Sequence, residues 1–84
     1  MSRHRVPVKE NGREVYVGWD QPMLTYFLQV YDPAKSEDEN PVVWRGTSLR
    51  ELYDLDDLIR VARPHAALDA TLRSTLYGDR DLGR

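Results

Sequence analysis

The hydrophobic spacing of this 84-residue chain changes period near residue 46, from alternation to intervals of three and four. Side chains alternate across a strand and recur about every 3.6 residues along a helix, so the change assigns the first half to a sheet and the second to helices. Val6 to Lys9 alternates, Asn11-Gly12 follows, and Val15 and Val17 then alternate with Glu14 and Tyr16. Asn-Gly between alternating segments signals a hairpin, because both residues tolerate the positive φ of a type I′ turn. The spacing predicts paired strands over residues 5–10 and 13–19. Pro7 has no amide proton, which places the first strand at a sheet edge or starts it after Pro7.

Turn-forming residues from Gly18 to Pro22 interrupt the pattern, and Thr25 to Tyr31 resumes it. There Tyr26, Leu28 and Val30 take one face, and Phe27, Gln29 and Tyr31 take the other. The polar segment 32–41 reads as an exposed connection, and 42–45 as a short fourth strand ended by Gly46. Short connections of this kind favour an antiparallel meander.

Beyond residue 46 the signals are helical. Ser48 and Glu51 stand in the spacing of a capping box, which predicts a helix over 49–53. Asp54 precedes an apolar stripe of Leu55, Leu58, Ile59 and Ala62, the mark of a capped helix over 55–62. Pro64 breaks the chain, and Leu68, Leu72 and Leu76 predict a last helix over 65–77, with Gly78 as its C-terminal cap and a frayed tail from Asp79 to Arg84. Residues 48–62 fit two helices or one bent helix. The expected fold is α+β: an N-terminal antiparallel meander of three to four strands, then two to three short helices packed on one face. A chain of this length buries only about 60 to 65% of its surface and makes one small domain, residues 1–84.

Composition narrows the function. There is no cysteine, hence no disulfide framework and no thiolate metal site. No apolar run exceeds three residues, as in Val42 to Trp44, far too short to span a membrane, and the first residues lack a signal peptide's apolar region. A soluble, cytoplasmic protein is the expectation. The formal charge of −2 combines a +2 start over residues 1–18, Asp20 alone over 19–31, a −3 segment over 32–44 and a balanced stretch from 45 to 84.

Catalytic signals are weak. The two histidines, His4 and His65, have no supporting acid or nucleophile nearby in sequence. The aspartates at 54, 56 and 57 suit a helix N-terminus, and no acidic segment has the oxygens and central glycine of a calcium loop. No glycine pattern cradles phosphate, and no serine sits in a nucleophile elbow. The chain is therefore read as a non-enzyme without catalytic residues, metal or cofactor.

The distinctive segment is 15–32, which holds Tyr16, Trp19, Tyr26, Phe27 and Tyr31, five of the chain's eight aromatic side chains. A one-layer sheet can bury only one face under its helices, so Phe27 and Tyr31, joined by Tyr16 and a residue of the fourth strand, are expected on the open face. Trp19-Asp20-Gln21-Pro22 would offer a flat apolar contact beside a carboxylate; alternatively, Trp19 folds inward over the core. Trp44 likewise suits a core or a surface position.

The candidate binding residues are Tyr16, Trp19, Asp20, Gln21, Phe27 and Tyr31, for a protein partner or a second copy in a homodimer. On this reading, Phe27→Ala or Tyr31→Ala weakens association and leaves the fold largely intact. The alternative is single-stranded nucleic acid, stacked on the sheet aromatics and neutralised by Arg3, Arg5, Lys9, Arg13 and Arg45.

Overall fold

Four strands lie side by side in chain order, each antiparallel to the next: β1 (His4–Val6), β2 (Glu14–Asp20), β3 (Thr25–Tyr31) and β4 (Val43–Arg45). Two helices follow, α1 (Leu55–Ala62) and α2 (Ala70–Leu82). The computed structural model describes residues 2–8, 12–32 and 41–84. It has the expected α+β order, strands first and helices after.

The register explains the core. Val15 faces Val6 on one side and Val30 on the other, Val17 lies between His4 and Leu28, and Trp19 faces Tyr26. Cross-strand partners share a face, and this one is covered by α1 against β3 and α2 against β2. Val6, Val15, Val17, Trp19, Tyr26, Leu28 and Val30 are all at most 2% exposed there, closed over by Leu58 and Ala62 of α1 and Leu76 of α2. Trp19 meets Tyr26 edge to face at 4.9 Å between ring centroids, and the Tyr26 hydroxyl donates to the Leu76 carbonyl at 3.1 Å.

Several local expectations are corrected. β1 stops at Val6, and Val8 leaves β2 to bridge Ala66 in the connection between the helices. A two-residue turn at Asn11-Gly12 would set Val6 opposite Val17, but its partner is Val15. Residues 9–11 lie outside the described residues, as does most of the 32–41 connection, and Gly12 keeps a positive φ of +82°. Gly18 belongs to β2, paired with Phe27, and not to a turn; glycine is needed there because a Cβ would collide with the Ser2 carbonyl and the Phe27 ring. The turn is Gln21 to Leu24.

The capping-box helix over 49–53 does not form. Glu51 reaches back past Ser48 to the amide of Gly46 at 2.9 Å, and Arg50 adopts a left-handed φ of 56°. The competing demand is the edge of β3. β4 ends opposite Leu28 and leaves the start of β3 open, and Leu52 closes it: its carbonyl accepts from the Tyr26 amide, and its own amide donates to Thr25 Oγ1. Backbone groups in a buried edge must be satisfied, and that requirement outweighs a local capping preference. Residues 48–62 thus hold one helix, and Asp54 at its start makes no side-chain capping bond.

The last helix is displaced toward the C-terminus. Asp69 caps it, accepting from the Leu72 amide at 2.8 Å, and the helix passes through Gly78 to end at Gly83 in the left-handed conformation. The expected frayed tail is packed: Asp79 is 5% exposed, and its carboxylate lies 2.6 Å from Nε2 of His4 on β1.

Candidate binding face

The face of the sheet turned away from the helices is built by the alternate residues. Glu14, Tyr16, Gly18 and Asp20 of β2 pair with Tyr31, Gln29, Phe27 and Thr25 of β3, Arg5 flanks Tyr16, and Trp44 of β4 flanks Gln29. The sequence placed Tyr16, Phe27, Tyr31 and a fourth-strand residue on this face, and the register brings them there. Asp20 joins them, whereas Trp19 takes the opposite face and is 1% exposed.

Two areas can be distinguished. Toward β1, the Tyr16 and Tyr31 rings meet edge to face at 5.8 Å, and the Arg3 guanidinium lies 3.9 Å from the Tyr16 centroid, a cation–π contact. Glu14 ties the area together, accepting from the Tyr16 hydroxyl at 3.3 Å and pairing with Arg5 at 3.7 Å. Toward β4, a groove of about 340 Å³ is lined by Asp20, Met23, Phe27, Gln29, Trp44, Gly46 and Thr47. The Phe27 ring lies against Gly18 and is 3% exposed, so it belongs to the support of the face and not to its outer layer. Trp44 stands 54% exposed beside it. Among the described residues Asp20 has no ion-pair partner, and it carries the one charge in the groove lining.

The groove owes its floor and end to two backbone features. Gly46 has a φ of +86°, and a Cβ there would strike the Tyr26 carbonyl, so the chain leaves β4 directly against β3. The Glu51 carboxylate then fixes this bend through the Gly46 amide and Arg45 Nε at 3.2 Å. The amide bond is the main reason why the Glu51 carboxyl is held below the ordinary glutamate range; desolvation opposes it, and Arg45 reinforces it.

Gln21 lies in a second concavity, on the helix side. Trp19, Gln21, Leu24, Tyr53, Tyr77, Arg80 and Asp81 line a cleft of about 310 Å³. Gln21 Oε1 accepts from the Trp19 indole at 2.7 Å, and Arg80 stacks 4.0 Å from the Tyr53 centroid. Hydrogen bonding from Arg80, and then its charge, hold the Tyr53 phenol below the ordinary tyrosine range. The cleft carries its own cation in its wall, and the structure separates Trp19 and Gln21 from the other four candidates.

The basic residues of the nucleic-acid alternative are dispersed. Arg5 pairs with Glu14, Arg13 with Asp32 at 3.5 Å, and Arg45 with Glu51; Lys9 lies outside the described residues. His4 is paired with Asp79, and Nδ1 of His65 is buried without a hydrogen-bond partner among the described residues. Among those residues no group of three or more histidine or acidic side chains is placed to hold a metal ion, and no helix is long and apolar enough to cross a membrane.

Sequence reasoning left Trp44 undecided between core and surface and missed Met23 and Thr47. The signal for Trp44 was its parity: once β4 pairs with β3, Trp44 shares the face of Gln29 and Tyr16. Met23 reaches the groove from a turn, and Thr47 from an irregular bend, where no periodicity applies. No family model matches the chain, and no curated protein or solved structure is significantly similar to it.

Proposed function

We propose that this chain is a small protein-interaction module, not an enzyme, that holds its partner on the uncovered sheet face around Trp44, Tyr31 and Tyr16. The observation that carries the reading is Trp44 itself, a large aromatic side chain left 54% exposed at the lip of a groove, on a face to which no described helix contributes. Exposed tryptophan is costly in water and characteristic of the anchors that dominate interfaces. The β4 edge beside it has no further strand among the described residues, so an extended partner segment can add its backbone there.

The paired arginines favour a protein partner over single-stranded nucleic acid, because Arg5, Arg13 and Arg45 each already face a carboxylate. A cytoplasmic setting and a homodimeric form remain within the same proposal, the second copy being one form of partner. The test is affinity of the isolated native partner for the wild type, Trp44→Ala and Tyr31→Ala. A hot-spot loss of at least about 2 kcal/mol, roughly thirtyfold, is expected for Trp44→Ala; unchanged affinity for both variants would refute the reading.

A further inference from the structure

Resting on the proposed binding face, we infer that the groove between β3 and β4 takes a cationic side chain, arginine or lysine, presented by an extended segment of the partner protein. Among the described residues its lining contains one charged group, Asp20, and no basic one. Asp20 projects from the end of β2, and no described residue forms an ion pair with it, although arginines elsewhere on the sheet have found carboxylates. Between Asp20 and Trp44 the lining is apolar or neutral: Met23, the Phe27 ring, Gln29, Gly46 and Thr47.

A groove with an aromatic wall, an apolar floor and a carboxylate at one end matches a long cationic side chain in three respects. Its methylene stem packs on Phe27 and Met23, as the stems of lysine and arginine do along apolar surface. The Trp44 ring packs on the same stem where it enters the groove, an aromatic wall for the methylenes. The positive head donates to Asp20, a charge-assisted bond that an uncharged side chain cannot equal. The same chemistry already occurs on this sheet. Arg3 lies over Tyr16, and Arg5 pairs with Glu14 beside it, so the β1 side shows both kinds of contact, with the cations supplied by the chain itself. On the β4 side the aromatic group and the carboxylate are present, and the cation is left to the partner.

Position favours an extended segment as the carrier. Trp44 is on the last strand of the sheet, and its neighbours Val43 and Arg45 are partly exposed. A strand added along β4 would turn alternate side chains toward the outer face, at the spacing that brings one of them over the groove.

The experiment titrates the full chain with a blocked pentapeptide, Val-Thr-Arg-Thr-Val, and with the same peptide carrying citrulline, the neutral isostere, at the centre. Binding is followed through the Trp44 indole resonance. The expected result is a Trp44 shift with the arginine peptide, affinity at least about tenfold weaker for the citrulline peptide, and loss of that preference in Asp20→Asn. Equal affinity for the two peptides would overturn the cation assignment while leaving the binding face intact. A Trp44 resonance that ignores both peptides would overturn the assignment, and if the native partner also leaves it unmoved, the face itself fails. A Trp44 shift on concentrating the protein alone would assign the groove to a second copy and overturn the extended-segment assignment.

Discussion

At the scale of single residues, two glycines make opposite demands. Gly46 has a positive φ, and a Cβ there would lie 2.1 Å from the Tyr26 carbonyl, so Gly46→Ala forces β4 away from β3. Gly78 is interior to α2, and a Cβ there meets nothing within 4 Å. Gly78→Ala is therefore expected to stabilise the protein by about 0.5 to 1 kcal/mol, and Gly46→Ala to destabilise it by more than that, both read from denaturant unfolding. Glu51 gives a pH dependence of definite sign. Its carboxyl is held below its ordinary value in the folded state, so the stabilisation is present above the unfolded value of about 4.3 and is lost as pH falls through the lower folded one. An amide titration of Gly46 should show a midpoint below about 4.3 that Glu51→Gln abolishes.

At the scale of elements, what was legible depended on whether a signal was local. The strand 25–31 was readable because seven residues alternate and β-formers dominate, and α1 because its stripe and acidic first turn agree. The helix expected over 49–53 failed because the residues that favoured it locally were required at the edge of β3, a need visible only after β4 is known to end at Arg45. The last helix was misplaced because Gly78 resembled a stop, whereas the capping groups are Asp69 and Gly83. Asp69→Ala removes the bond to the Leu72 amide and is expected to cost about 1 kcal/mol, measured by thermal unfolding. Leu58→Ala, at 0% exposure under the sheet, should cost about 2 to 5 kcal/mol in the same assay.

At the scale of the whole molecule, the described helices leave one face of the sheet uncovered, and the aromatic residues divide between its sides. The sequence showed that such a face should exist and named Tyr16, Phe27 and Tyr31 for it, but not which side chains would project. Phe27 is sealed over Gly18, so the expectation that Phe27→Ala leaves the fold intact gives way to a loss of about 3 kcal/mol or more. Trp44, undecided from sequence, becomes the exposed anchor, and Trp19, a candidate contact, becomes core. The chain's two tryptophans thus report on different places, Trp44 on the sheet-face groove and Trp19 on the helix-side cleft. The most direct measurement labels both with 5-fluorotryptophan and records the two fluorine resonances as the native partner is added. The account predicts that the Trp44 resonance moves while that of Trp19 stays in place; movement of Trp19 with Trp44 unchanged would put the partner on the other side of the sheet and contradict it.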